Sequence, residues 1–327
     1  MAVTTQTTAP AREVTPLGSI SRSRRLKNQT MGVVIYGAFI LALIPLVWLS
    51  VTVVIKGIDR FLISDADGLD AGFNLEFLNQ TMRGIFGAEA PYGGIMHAIV
   101  GTLMMTLAAT IISVPVGLLT AIYLVEYGTG WLKRAITFFV DVMTGIPSIV
   151  AGLFAYALFA LTVGPGTKLG IVGAIALSVL MIPVVVRSSE EMLRLVPNEL
   201  REASYALGVP KWLTIIKVVL RTSIAGVTTG ITLAIARVVG ETAPLLVAVG
   251  VADSLNWNLF EGRMMSLPVY IISEYEKGVL PCNTDTCIGE ITEYRAWGAA
   301  LVLILIVMGL NLIARLIAKY FSPKTGR

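Results

Sequence analysis

The sequence predicts an all-α, polytopic membrane protein of six transmembrane helices, and three observations predict it. Apolar residues make up 55% of the 327-residue chain and charged residues only 14%, well below the roughly 25% of a soluble domain. The apolar residues come in blocks of roughly 20 or more, the length that crosses a hydrocarbon core about 30 Å thick. The basic residues gather in short segments beside those blocks, as the positive-inside pattern requires. The net charge of +4 is therefore read as a topology signal, and nucleic-acid binding is set aside.

Taken in order, residues 1–30 are rich in Thr, Ser and Ala and then basic at Arg22, Arg24, Arg25 and Lys27. They are expected to form a disordered cytoplasmic tail. The apolar run behind them is too long for a signal peptide, and no small-residue cleavage site closes it. That run, about 31–56, makes the first transmembrane helix, 31–57. An acidic external loop, 58–94, follows. Five further spans are expected near 95–127, 135–163, 169–187, 223–251 and 296–318, forming one core over 95–318. The second span contains Pro115, which a membrane helix tolerates when neighbours satisfy the freed carbonyl. A cytoplasmic loop covers 188–222 and an external loop 252–295, and 319–327 form a cytoplasmic tail.

Sixteen Lys and Arg fall on the side of the N-terminal tail, and five lie in the two long loops opposite. This asymmetry predicts that both termini are cytoplasmic. Small residues inside the spans (Gly101, Ala108, Ala109, Gly117, Gly152, Gly173, Gly226, Gly230 and Gly240) predict helices packed closely on one another.

Catalytic and metal chemistry have little to stand on. With one His and two Cys in the chain, a metal site is not expected. His97 is read as an interfacial residue. Cys282 and Cys287 share one polar loop, where a disulfide and two separate thiols remain equal alternatives. The string Gly164-Pro-Gly-Thr-Lys168 lacks the Gly-Lys-Ser/Thr ending of a phosphate loop and falls in a short outside turn. Uphill transport by such a chain needs an ion gradient or an energy-supplying partner.

Two places carry functional signal. In the cytoplasmic loop, Asn198 is expected to cap a short helix with Glu199 and Glu202 in its first turns. Leu200, Ala203, Ala206 and Leu207 give it an apolar face, Gly208 ends it in the left-handed conformation and Pro210 stops continuation. Small side chains there suit close approach by a partner, while a plain connector helix is the alternative. Within the fifth span, Arg237 and Glu241 lie four apart, hence on one helical face. Charges near mid-membrane are costly and persist by pairing or by lining a pathway. Arg187, at the end of the fourth span, either snorkels to the headgroups or offers a second guanidinium to an anion. Asp141 is a further candidate partner.

Glu202-Ala203-Ser204, three residues, then Gly208 resembles the cytoplasmic loop of ATP-binding-cassette importer permeases, whose pattern is Glu-Ala-Ala, three residues, Gly, nine residues, Ile-x-Leu-Pro. Here Ser204 replaces the second Ala, and Val218-x-Leu220-Arg221 stands at the tail of the motif. The resemblance covers about 95–318 and implies the type I importer permease fold, with Glu202, Ala203, Ser204 and Gly208 coupling to an ATPase. Arg237-Val-Val-Gly-Glu-Thr-Ala-Pro-Leu-Leu246 is similar to the fifth-span signature of the A-type permeases of bacterial phosphate-specific importers, and Gly145-Ile-Pro-Ser-Ile-Val-Ala-Gly152 also looks like that family. This resemblance implies a multi-pass inner-membrane subunit that carries inorganic phosphate past Arg187, Arg237 and Glu241. It implies a second, C-type permease, a cytoplasmic ATPase dimer that uses ATP, and an external phosphate-binding protein as partners, with membrane lipid around the bundle. No cofactor is expected on the chain itself. A permease for sulfate or molybdate, and an ion-coupled secondary transporter, are the alternatives.

Overall fold

The computed structural model describes residues 22–65, 72–282, 284 and 287–321, and each expected span falls on helix among them, in places broken or with shifted ends. α1 runs Arg22–Asp59 with Pro45 inside it. Arg22, Arg24, Arg25 and Lys27, expected in a disordered tail, are its first turns; the part of the tail before Arg22 lies outside the described residues. The chain divides into two compact units after Thr52. In the first, α1 is an exposed apolar helix, suited to lipid or protein neighbours.

The second unit begins with the last turns of α1, a single 3-10 turn at Arg60–Leu62 and the short α2, Glu76–Asn79. α3, Met96–Ile122, follows and ends in a π-turn over Tyr123–Tyr127, with Pro115 accommodated as expected. Next come α4, Gly130–Thr144, and α5, Ser148–Thr162. The central helix is α6, Gly170–Arg194. A pair of short helices follows in the loop 188–222, α7 at Asn198–Ala206 and α8 at Lys211–Thr214, then a π-turn at Ile215–Val219. α9 spans Leu220–Val239, α10 Ala243–Ala248, α11 Leu267–Lys277 and α12 Ile291–Phe321.

α6 packs on α3, α9 and α5 and sits at the centre of the unit. Two-thirds of its most apolar stretch (67%) is buried within the chain, against 6% for α1. A helix apolar on all sides is buried by protein or lipid, and small residues let α6 choose protein. A Cβ on Gly117 of α3 would stand 2.7 Å from a Val185 methyl of α6, and one on Gly230 of α9 would stand 2.5 Å from the Ser188 hydroxyl. Gly152 of α5 admits the Pro244 backbone of α10, which a Cβ would meet at 2.6 Å. These glycines let neighbouring helices approach closely, where association without a hydrophobic drive gains dispersion energy. Gly240 is different: a Cβ there meets nothing nearer than the Arg237 carbonyl at 3.8 Å. It marks a break in the chain and not a packing contact.

Several boundaries move. The third expected span, 135–163, is two helices bent by 108° between Thr144 and Ser148. Pro147 has no N–H to donate and takes an extended ψ of 136°, which ends one helix and starts the next. Among the described residues, five helices are long and apolar enough to cross a membrane, and up to six if that bent pair counts as one span. The fourth span does not stop at 187, since α6 continues to Arg194. The fifth, expected as one helix over 223–251, is interrupted between Val239 and Ala243. The long loop 252–295 contains α11, whose Leu267 N–H donates to Thr102 Oγ1 of α3 at 2.8 Å. In the same loop Cys282 and Cys287 are joined in a disulfide, which decides between the two readings of those thiols. The Gly164–Lys168 string forms a turn with Gly164 and Gly166 at φ +139° and +82°.

Candidate functional site

Two regions hold the side chains singled out from the sequence. At one, α7 packs on α8 and on the π-turn at Ile215–Val219. Asn198 does not cap it: Pro197 occupies the capping position, with no side-chain acceptor to offer, and Asn198 is the first helical residue. Its Oδ1 instead accepts from Arg201 Nη1 at 3.1 Å. The other end is as expected. Gly208 has φ +73°, its N–H donates to the Tyr205 carbonyl at 2.9 Å, and Val209 N–H donates to the Ser204 carbonyl at 3.2 Å. This is the Schellman pairing, which a left-handed glycine makes at low steric cost.

The four residues expected to dock a partner divide between two faces. Glu202, Ala203 and Gly208 are exposed. Beside them Tyr205, Leu207 and Trp212 are exposed apolar side chains, Leu207 at 83%, so this face is apolar with an acidic edge. Ser204, expected among the docking residues, points the other way. It is buried, and its hydroxyl bonds that of Thr214 at 2.8 Å, fastening α7 to α8. Arg201 also points inward, a feature not legible in the motif: its Nε donates to Glu126 Oε1 at 3.0 Å.

At the second region α9 ends just after Arg237. A cation in the last turn of a helix is favourable against the carbonyl ends. Arg237 Nε stands 3.9 Å from Glu241 Oε1, with the arginine side chain 54% exposed and the glutamate 18%. Glu241 lies in the unwound link and not on the helix. The two charges still meet, because the chain turns at Gly240 with ψ 0°, but the contact is loose and the guanidinium is half free. Interrupted helices beside charged groups are a recurrent way of building a solute site in membrane proteins.

Arg187 is not brought to this pair. It sits on α6, forms an ion pair with Asp141 of α4, and donates to Glu190 Oε2 at 2.8 Å. Glu190 is itself buried and also takes Arg194 at 2.5 Å. The snorkelling reading of Arg187 is replaced by a four-residue charge network that joins α4 to α6.

The loops opposite α7 hold a cluster that the composition did not single out. Arg60 and Arg295 are among the largest fully buried side chains. Arg60 Nη2 donates to the Gly93 carbonyl at 2.7 Å and lies over the Phe77 ring. Arg295 Nε donates to the Tyr92 carbonyl at 2.7 Å and its Nη1 to Glu274 Oε2 at 3.2 Å. His97, expected at an interface, is buried with its ring 5.6 Å from that of Tyr270. Burial pushes the Tyr270 hydroxyl far above its usual range, so it stays protonated. The only sequence signal for this cluster was charge within a loop, which ordinarily means solvent. Among the described residues no group of three or more His, Cys, Asp or Glu could hold a metal ion.

A family described as "binding-protein-dependent transport system inner membrane component" matches residues 113–327. The phosphate transport system permease protein PstA 1 of Mycobacterium tuberculosis (strain ATCC 25618 / H37Rv) is 46% identical over 294 residues, covering 90% of this chain and 88% of the relative. The PstA protein of Yersinia pestis is 36% identical over 298 residues, covering 90% of each. Among solved structures, an inward-facing MetNI methionine ABC transporter chain aligns with TM-score 0.51 at 20% identity, covering 70% of this chain and 95% of the other. A chain of a bacterial ABC transporter involved in alginate import aligns with TM-score 0.55 at 11% identity, covering 92% of this chain and all of the other. At such identity these structures speak for the fold alone, and it is the type I importer permease fold. The matched residues and the identity across nine-tenths of the chain lead to one conclusion: this chain belongs to the family of binding-protein-dependent transport system inner-membrane components, beside the phosphate transport system permeases.

Proposed function

We propose that the chain is a permease subunit of an ATP-driven importer for inorganic phosphate, with Arg237 and Glu241 meeting the anion as it passes. The observation that carries the cargo is the identity of up to 46% with phosphate transport permeases over nine-tenths of the chain. The geometry supports it. Phosphate near neutral pH is partly protonated, the second ionisation of a phosphoryl group lying around pH 6 to 7. It accepts from a guanidinium and donates to a carboxylate at once, as a half-free Arg237 beside Glu241 invites. Sulfate has no proton for Glu241 to accept.

Arg187 is assigned a second contact, made when the anion displaces Asp141 from it. The chain works with a C-type permease, a pair of cytoplasmic ATPase subunits that hydrolyse ATP, and an external phosphate-binding protein. The ATPase pair docks on the exposed face of α7, at Glu202, Ala203 and the end fixed by Gly208, while Ser204 secures that helix from within. Both termini then lie in the cytoplasm. Closure of the ATPases moves α7 and rocks the bundle, so that Arg237 is presented first outward and then inward.

The test is uptake by the full complex in proteoliposomes loaded with ATP. Labelled phosphate is expected to accumulate, to depend on the binding protein, and to be displaced by unlabelled phosphate but not by equal sulfate. Displacement by sulfate at least as effective as by phosphate would assign a different cargo.

A further inference from the structure

We infer that Arg201 is a positioning residue that makes the docking helix α7 and the ends of α3 and α6 move as one body. The inference rests on the reading of α7 as the ATPase-docking element and concerns the face turned away from that partner. The Arg201 guanidinium is spread over four acceptors on three elements. Nε and Nη2 both stand 3.0 Å from Glu126 Oε1, in the π-turn that ends α3. Nη2 donates to the Leu193 carbonyl at 3.1 Å and Nη1 to the Val196 carbonyl at 2.6 Å, both where α6 finishes. Nη1 also reaches Asn198 Oδ1 at 3.1 Å, where α7 begins. The side chains of Arg201 and Glu126 are only 13% and 6% exposed.

The last carbonyls of a helix lack intrahelical donors and carry its negative end. Arg201 adds a donor to the Leu193 carbonyl in the last turn of α6 and another to the Val196 carbonyl just past it, and pairs with Glu126 at the same time. Beneath it Ala121, Leu193, Val196 and Val219 form a small apolar core from the ends of α3 and α6 and the start of α9. Lys211 grips the same turn from the other side, donating to the Glu126 carbonyl and lying 4.6 Å from the Tyr127 ring centroid. Ser204–Thr214 joins α7 to α8 alone. Among the described residues, the side-chain bonds of α7 that reach the ends of α3 and α6 are those of Arg201, and α3 with α6 is the most extensive helix pair of the fold. A push on α7 reaches the bundle centre through this fork. Lysine has three donors on a point charge and cannot span the same acceptors.

The experiment uses the complete importer in proteoliposomes and reads phosphate imported per ATP hydrolysed, with ATPase co-purification and melting temperature measured alongside. Arg201→Lys and Arg201→Ala are expected to keep the ATPase bound at parental stoichiometry while the phosphate-to-ATP ratio falls about tenfold or more, the scale of a lost buried charged hydrogen bond. Glu126→Gln, which keeps an acceptor, is expected to fall less. A parental ratio in Arg201→Ala overturns the inference. If Arg201→Ala does not assemble, Glu126→Gln decides: a reduced ratio in an intact complex supports the inference, and an unchanged ratio overturns it. Failure of the docking reading looks different. It shows in the chain with Arg201 intact, when Leu207→Cys yields no ATPase cross-link.

Discussion

Replacing Arg237 with alanine separates a structural ion pair from a solute contact, because the two are expected to differ in size. The pair with Glu241 is 3.9 Å long and its arginine is half exposed. Coulomb's law at an effective dielectric of about 20 gives roughly 4 kcal/mol at such a distance, but an exposed, screened pair is worth about 0.2–1 kcal/mol in practice. The looser figure applies here, since the pair is long and neither side chain has a second partner among the described residues. As structure alone, then, Arg237→Ala costs at most about 1 kcal/mol and leaves assembly intact. A charge-assisted bond to the passing phosphate is worth about 1.5–3 kcal/mol. If that bond forms in the rate-limiting passage, its loss slows transport by about 10- to 150-fold. The assay is the initial rate of labelled phosphate uptake, normalised to complex recovered by co-purification with the ATPase subunits. Uptake within about twofold of the parent, with normal assembly, would refute the contact and leave the pair structural.

Two other perturbations test the ends of the molecule. Gly208→Val places a β-branched residue at φ +73° with open space around it. The cost is therefore conformational, about 1–2 kcal/mol, and is expected to distort the end of α7 and lower phosphate imported per ATP; Gly208→Asn is expected to be milder, and an unchanged ratio in the valine variant would count against the cap. Glu274→Gln leaves the buried Arg295 without its carboxylate, a loss of roughly 3–5 kcal/mol for a broken buried pair. The solubilised protein is expected to melt at a clearly lower temperature, and an unchanged melting curve would show that the cluster is not a stabilising one.

The division between what was legible and what was not follows particular residues. The apolar runs located every long helix, because bilayer thickness sets their length and needs no knowledge of neighbours. The cap at Gly208 was legible because a left-handed residue is a local demand. Asn198 was misplaced because Pro197, one residue earlier, takes the capping position. The break at Glu241 was missed although Gly240 and Pro244 flank it: both residues are tolerated inside membrane helices when neighbours accept the freed groups. That Ser204 is buried against Thr214 was not legible, since spacing defines the faces of α7 but not which one meets the bundle.

By itself, then, the sequence determined the membrane class, the helix count to within one bent pair, the short helix closed at Gly208 and the two charges at the end of α9, all consequences of local pattern. Only the tertiary structure decided that Arg187 belongs to Asp141 and Glu190, that Arg201 holds Glu126, and that Arg60, Arg295 and His97 are buried. Each of those depends on chain segments far apart in sequence meeting in space. A charge shows its cost in the sequence, but its partner is chosen by the fold.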